Sequence, residues 1–354
     1  MAKVLVYAWE IGAAAVLSQV LPVLVGQGHS CVVAALAPAF DCFKDRCPAE
    51  IQVLHATSDV VTQDFDVCVA GYGSPARSDA MKLWEVIARK MPTLVVLDQW
   101  KGLDRFFDAE GLVRVPCPSR IAVAADSIAD SLIEAGIPEQ QLVVVGHPSL
   151  AACAEKTFLA GLPSRMALRE RLGIDAEVRV YVMASEGVHS GHQGWMGCDS
   201  RCRKLFSCES QGRPLWNHLL EKESHEASLF LLRPHPSDSN IASDNILSVP
   251  WDRLDDKSLL VLADRVYGIS SMLLLQAAAL GIETVNLQPM LSDWQPEHSF
   301  LSPVVYEDMV NSGMFDHNIA PDVARKVHVG AVARIVEQLS LLVDSGPAGG
   351  HYDR

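Results

Sequence analysis

The chain has 354 residues, of which 49% are hydrophobic, and a formal net charge of −14. This length is sufficient for two domains, and the acidic balance argues against a nucleic-acid-binding surface, which needs clustered Lys and Arg to neutralise phosphates. Nine cysteines, an odd number, are typical of reduced thiols rather than of a disulfide framework.

The start of the chain lacks the features of a secretory leader. The apolar run over residues 16–25 is too short to span a bilayer, and it contains Gln19 and Pro22. The sequence therefore predicts a cytoplasmic protein that is not transmembrane.

The first part of the chain alternates apolar runs with helical patterns. A strand over 4–8 leads through a short loop into a helix over about 13–27, and the small residues 12–15 would let this helix begin close to a strand tip or a ligand. A second strand follows over 31–35. Further strands are predicted over 51–54, 66–70, 93–97, 120–124 and 141–145, and further helices over 78–90 and 127–135. This alternation indicates a parallel sheet covered on both faces.

A second series of elements follows an apparent connector over 149–163. Strands are predicted over 177–183, 228–232, 246–249, 264–269 and 284–287, and helices over 164–172, 214–222, 272–280 and 323–343. The two series predict an α/β protein of two Rossmann-like domains with a cleft between them. We expect an N-terminal domain over 1–148, a C-terminal domain over 149–343 whose closing helix packs back toward the N-terminal domain, and a flexible tail over 344–354.

Two strand ends in the second series carry polar side chains that suit an anion. One strand stops at Arg233-Pro234-His235-Pro236, and another stops at Ser270-Ser271, where a long apolar helix begins. The free N–H groups and positive dipole of that helix would favour a phosphate, which Arg233 or His235 would meet from the neighbouring strand. The alternative is that Ser270 caps its helix and that the prolines end a strand.

The order of motifs resembles that of the two-domain GT-B glycosyltransferases. It consists of Gly146-His147-Pro148, the Arg-Pro-His-Pro strand, Asp264 followed by Gly268 and the serine pair, an Ala-rich helix and Gly281. The branches that look most similar are the polysialyltransferases, the CDP-glycerol glycerophosphotransferases and the UDP-N-acetylglucosamine 2-epimerases. Ser185-Glu186-Gly187 is similar to the acidic-Gly element of bacterial sialyltransferase-like enzymes, and the opening, from Tyr7 to Gly12, is similar to macrolide and lipid-sugar glycosyltransferases.

The resemblance implies a metal-independent glycosyltransferase that moves a sugar or related group from a nucleotide-activated donor to an acceptor hydroxyl, as in polysaccharide or glycoconjugate biosynthesis. It implies an acceptor-side N-terminal domain, a donor-binding C-terminal domain and no cofactor. Donor contacts are expected from Arg233, His235, Ser270, Ser271, Gln276 and Gly187. His235 would stabilise the leaving group, and Glu10, Asp98 and Glu186 are candidates for the base.

Two departures from the family pattern keep other functions open. The loop after the first strand has Gly12-Ala13 where relatives carry a Gly-His pair, and Gln276 stands where many nucleotide-sugar enzymes carry a ribose-binding Glu. The alternatives are a nucleotide-sugar hydrolase or 2-epimerase in the same cleft, and a catalytically inactive GT-B-like binding subunit. Glu10 and Asp98 could instead cap helices or hydrogen-bond loops, and His147 is the kind of residue that is more often structural.

The segment 187–213 is rich in Cys and His. It contains His189, His192, Cys198, Cys202 and Cys208, which could bind zinc, although the spacing lacks the usual Cys-x2-Cys knuckle. We favour a lid over the cleft with Trp195 and Met196 at its apolar tip. The sequence as a whole leaves the oligomeric state open, with a homodimer as one possibility.

Overall fold

The structure is a computed structural model. It describes residues 1–72, 78–98, 106–108, 110–114, 116–155, 157–184, 228–233, 247–248, 254–268, 271–286 and 328–345. Two compact units are present, one formed by 1–151 with 327–354 and the other by 152–326; we call them the first unit and the second unit. Each contains a parallel sheet with helices, so the predicted α/β fold class is confirmed.

The first unit is built on a seven-stranded parallel sheet. Its strands are β1 (Lys3–Ala8), β2 (Ser30–Ala35), β3 (Gln52–His55), β4 (Val67–Gly71), β5 (Thr93–Val96), β6 (Arg120–Val123) and β7 (Leu142–Val144). They lie in the order β3-β2-β1-β4-β5-β6-β7. The central strands β4 and β5 are buried along their whole length, which explains why they appear in the sequence as continuous apolar runs.

Six α-helices are described in this part of the chain. They are α1 (Ile11–Gly26), α2 (Ala39–Arg46), α3 (Ser58–Val61), α4 (Ser78–Lys90), α5 (Asp126–Glu134) and α6 (Pro148–Ala154). On α4, Ala80, Trp84 and Ile87 are buried at the i, i+4, i+7 spacing of an amphipathic helix. The chain passes from the first unit into the second within α6.

The second unit contains a five-stranded parallel sheet. Its strands are β8 (Arg179–Ala184), β9 (Ser228–Arg233), β10 (Leu247–Ser248), β11 (Arg265–Gly268) and β12 (Glu283–Asn286), in the order β10-β9-β8-β11-β12. Its described helices are α7 (Arg165–Leu172), α8 (Asp256–Leu262) and α9 (Met272–Leu280). Side chains of Ser164, Asp255 and Ser271 cap the starts of these three helices.

The last described helix, α10 (Ala331–Asp344), belongs to the first unit. It contacts α1, β4 and β5. Its buried side chains Ile335, Val336 and Leu339 lie in the same hydrophobic cluster as residues of β1 and α1. The first core is therefore completed by residues from the far end of the sequence.

Some elements differ from the sequence prediction. The expected connector over 149–163 begins with the helix α6, and α2 and α8 were not predicted. The predicted helix over 214–222 and the expected lid over 187–213 lie outside the described residues. Within the described part of the chain, no helix is both long enough and apolar enough to cross a membrane.

Candidate functional site

Three strands of the second unit end at the same level. Arg233 at the end of β9 pairs with Ala184 at the end of β8. On the other side of β8, Met183 pairs with Tyr267, which places Gly268 beside Ala184; a Cβ on Gly268 would lie 3.5 Å from the Ala184 Cβ. The chain order reverses here, because β9 and β10 lie on one side of β8 while β11 and β12 lie on the other. Such switch points are where open α/β sheets bind ligands.

One expectation about this edge was wrong. The strand ending at Arg233 and the strand leading to Ser271 are not neighbours, because β8 lies between them. Two strand spacings separate them, roughly 9–10 Å. The middle strand continues into Ser185-Glu186-Gly187, so the three motifs singled out in the sequence follow three consecutive strands of the sheet.

Ser271 caps the helix α9. Its Oγ accepts a 3.3 Å hydrogen bond from the backbone N–H of Leu273. Ser271, the second serine of the pair, is thus the residue that caps α9. The first turn of α9 contains no acidic side chain, so its positive end is not neutralised from within the helix.

Gln276 lies on the least buried side of α9. The helix is buried except for the half-buried residues Met272, Gln276 and Leu280, which recur every four residues and form one stripe. The amide of Gln276 has both donor and acceptor atoms and stands one turn beyond Met272. A polar side chain of α9 that contacts a ligand is therefore expected on this half-buried stripe.

Arg233 is held inside the second unit. Its side chain is 4% exposed, its Nε lies 2.8 Å from Asp256 Oδ1, and its Nη1 donates a 3.2 Å hydrogen bond to the carbonyl of Leu254. Burial lowers the pKa of the guanidinium, and the adjacent Asp256 opposes that shift. The described contacts of Arg233 therefore tie β9 to the start of α8. Asp256, which the sequence reasoning missed, is its ionic partner.

Asp264 begins the motif that ends in the serine pair, but it lies at the opposite edge of the sheet. Its Oδ2 accepts a 2.8 Å hydrogen bond from the N–H of Val180, and its Oδ1 lies 2.6 Å from Arg165. Asp264 therefore fixes the start of β8 and the helix α7 rather than facing the strand tips. This role explains an acidic residue at that point without any ligand.

In the first unit, Glu10 and Asp98 follow β1 and β5, with β4 between those strands. Glu10 takes the N-cap position of α1 and is half-buried, but its side chain makes no capping hydrogen bond. Asp98 is 3% exposed and lies against the first turn of α1, where a Cβ on Gly12 would come within 2.2 Å of its Oδ2. The two carboxylates therefore have different surroundings.

Small residues bring α1 close to the strand tips, as the sequence suggested. A Cβ on Gly71, the last residue of β4, would come within 2.3 Å of the Ala13 Cβ. Gly12 similarly leaves the space that the Asp98 carboxylate occupies. Larger side chains at either position would push α1 away from the sheet.

His147 is a structural residue. It is 1% exposed, its Nε2 lies 3.2 Å from the carbonyl oxygen of Asp98, and its Nδ1 accepts a 3.2 Å hydrogen bond from the N–H of Ser149. Burial lowers its pKa from 6.5 to about 4. A neutral ring with its proton on Nε2 fits both contacts.

Several predicted residues lie outside the described part of the chain. They are Glu186, Gly187, His235, Ser270 and the weak zinc candidates Cys198, Cys202 and Cys208. Among the residues that are described, no group of three or more His, Cys, Asp or Glu side chains could hold a metal ion.

No protein-family model matches the chain, and neither does any curated protein. Solved structures do match it. The UDP-GlcNAc 2-epimerase from Neisseria meningitidis, solved bound to UDP-GlcNAc, is 13% identical with a TM-score of 0.62, covering 96% of this chain and 100% of that chain. HepE from Anabaena, solved in complex with UDP-glucose, is 12% identical with a TM-score of 0.56 and coverages of 98% and 100%.

The wall teichoic acid polymerase TagF is also similar. It is 8% identical with a TM-score of 0.55, covering 97% of this chain and 89% of that chain. Epimerases and a polymerase thus share one architecture with the two parallel sheets described above. The expected architecture is confirmed: this chain has the GT-B-type fold.

Proposed function

We propose that the protein is a metal-independent glycosyltransferase that uses a nucleotide-activated donor. The proposal rests on one observation: the strands β9, β8 and β11 end side by side at a switch point of the second sheet, next to the amino end of α9. A donor phosphate there would accept hydrogen bonds from the first-turn N–H groups of α9 and gain from its dipole.

The remaining donor contacts follow from this position. Gln276, on the half-buried stripe of α9, is proposed to hydrogen-bond the ribose hydroxyls. His235, two residues beyond the end of β9, is proposed to stabilise the leaving phosphate, and Ser270 and Gly187 to complete the donor contacts from the other strand ends. Glu186, which follows β8, is a further candidate for the base. Arg233 is proposed to act indirectly, because its ion pair with Asp256 orients the end of β9.

Acceptor chemistry is assigned to the first unit. Glu10 is proposed as the base that removes the acceptor proton, because it follows β1 at the switch point of the first sheet and its half-buried side chain can be reached by an acceptor. Asp98 is the weaker candidate, since its carboxylate is buried against α1.

A second candidate function is nucleotide-sugar 2-epimerisation or hydrolysis in the same donor site. The higher TM-score of the Neisseria epimerase, 0.62 against 0.55 for the polymerase, is the observation in its favour. A third, an inactive binding subunit, is suggested by Gln276 and by the absence of a Gly-His pair at Gly12-Ala13. These functions differ in what they consume.

The first test is a thermal-shift series with UDP, CDP, CMP, GDP and dTDP. A nucleotide at about 100 times its dissociation constant should stabilise the native state by about 2.7 kcal/mol. Failure of all five to stabilise the protein would contradict the proposal. The sugar donor of the stabilising nucleotide is then incubated with and without a panel of hydroxyl acceptors.

The products separate the three functions. A transferase consumes donor faster when an acceptor is present and yields a glycosylated acceptor. A 2-epimerase or hydrolase consumes donor alone and yields an isomeric nucleotide sugar or a free sugar. Binding without any turnover would identify the inactive subunit.

A further inference from the structure

The amino end of α1 is already occupied by a carboxylate of the protein. The first turn of α1 contains no acidic residue of its own, and Asp98 from the end of β5 supplies that charge. Its Oδ2 fills the position where a side chain on residue 12 would stand. A helix amino end of this kind attracts anions, and here the attraction is satisfied by Asp98.

The ligand-binding edge around this helix is acidic. The first sheet has its switch point between β1 and β4, where the chain order changes direction. Of the described residues that take the first two positions after a strand of this sheet, the charged ones are Glu10 and Asp98. A phosphate that approached Gly12 would therefore be repelled by the Asp98 carboxylate, which lies against the start of α1, and by the Glu10 carboxylate at the N-cap position.

We infer that Asp98 is a specificity-determining residue that restricts the acceptor to uncharged or cationic hydroxyl compounds and excludes phosphorylated ones. This rests on the proposed function, which places the acceptor at this edge. Exclusion follows from the repulsion between the phosphate and the carboxylate that lies against the start of α1. A sugar or amino sugar brings no negative charge that Asp98 would repel.

The helix start can be observed directly by isotope labelling. The sequence contains a single Ile-Gly pair, Ile11-Gly12. A protein labelled with carbonyl-13C isoleucine and 15N glycine therefore gives one correlated amide signal, that of Gly12. Inorganic phosphate is the probe, and the wild-type Gly12 signal should not move as phosphate is added.

Removing the carboxylate should open the position. In Asp98→Ala, phosphate should shift the Gly12 signal saturably in the millimolar range, and Asp98→Asn, which keeps the side-chain volume, should show a smaller response. Asp59→Asn removes a charge from an exposed site in α3 and should behave as wild type. If Asp98→Ala does not fold, the Asn variant carries the test.

A wild-type Gly12 signal that moves with phosphate would overturn the inference, and so would variants in which it stays fixed. In turnover, Asp98→Ala should raise the preference for a phosphorylated acceptor over its unphosphorylated form by about tenfold. Nucleotide binding is measured separately, by thermal shift, on the same variants. Loss of nucleotide binding in all proteins would count against the donor proposal, whereas the Gly12 results named above would count against the acceptor inference alone.

Discussion

The backbone N–H of His147 donates a 3.0 Å hydrogen bond to Nδ1 of His328, 181 residues further along the chain. Both rings are buried, and Arg334 next to His328 also donates a 3.0 Å hydrogen bond from its Nε to the carbonyl of Val145. The pair therefore fastens the end of β7 to the start of α10. Protonating either Nδ1 would place a proton against an N–H donor.

This relationship predicts a loss of stability in mild acid. Burial lowers the pKa of His147 to about 4, and burial followed by the charge of Arg334 lowers that of His328 to about 4, whereas both ionise near 6.5 when unfolded. The contribution of these neutral rings to the free energy of unfolding is complete above pH 6.5. It is lost as the pH falls toward 4, by about 3 kcal/mol for His147 alone. Urea unfolding between pH 7.5 and 4.5 measures it. His147→Gln should flatten the slope relative to wild type; an unchanged slope would contradict the assignment.

Substitutions at Ser271 separate capping from nucleotide binding. Ser271→Ala should cost about 1 kcal/mol of stability, because the Leu273 N–H loses its partner, yet nucleotide affinity should change little since the backbone remains. Ser271→Asp keeps a capping oxygen but adds a negative charge at the amino end of α9. Its stability should be near that of wild type while nucleotide binding falls. Calorimetric binding at wild-type affinity for Ser271→Asp would place the phosphate elsewhere.

Replacing His235 tests the leaving-group role. His235→Ala should lower the turnover rate by roughly a hundredfold or more, because a donor aimed at developing charge contributes most in the transition state. Affinity for the product nucleotide should fall less. Steady-state rates with saturating donor measure the effect, with His55→Ala, on the edge strand of the first sheet, as the comparison variant. A variant that turns over as fast as wild type would remove His235 from the mechanism.

Replacing Arg233 and replacing Asp256, the two partners of an ion pair, should lower the stability of the protein by different amounts. Arg233 is 4% exposed, whereas the Asp256 side chain is 33% exposed. Asp256→Asn removes the carboxylate that lies closest to a buried guanidinium and should cost up to about 3 kcal/mol, while Arg233→Met leaves a carboxylate that water can reach and should cost less. Urea unfolding of the single and double variants gives the coupling. A larger cost for Arg233→Met would contradict this account.

Two glycines that end strands provide a matched pair. Gly71→Ala on β4 would bring a Cβ to 2.3 Å from the Ala13 Cβ and should cost about 1–3 kcal/mol as α1 is displaced. Gly268→Ala on β11 meets its nearest atom at 3.5 Å, an ordinary contact, and should cost less than about 1 kcal/mol. Thermal unfolding compares them. Equal costs would show that α1 adjusts freely.

Local patterns predicted most of the strands and long helices. The helix over 78–90 has the bounds expected from its apolar spacing, and Met272–Leu280 begins and ends where Ser271 and Gly281 indicate. The helix α8 was missed although its signals were present, since Asp255 precedes an apolar run and caps it through the N–H of Ser258. The short helices α2 and α6 offered weaker patterns.

The arrangement of the site depended on contacts that no local pattern contains. The order β9-β8-β11 is decided by how crossover connections pack, so the sequence could supply the strand ends but not their neighbours. Arg233 looked like a phosphate ligand because its partner, Asp256, lies 23 residues away on α8. The contact of Asp98 with Gly12 joins residues 86 positions apart, and the sequence suggested only that Gly12 would permit a close approach.

The return of α10 to the first unit has a consequence for biosynthesis. Residues 152–326 form an uninterrupted unit, whereas the first core lacks Ile335, Val336 and Leu339 until the chain has been synthesised past them. On the ribosome, the second unit can complete its fold while the first still exposes part of the surface of α1 that α10 will cover. The first unit, whose synthesis begins first, can therefore complete its hydrophobic core only after the second unit has been synthesised.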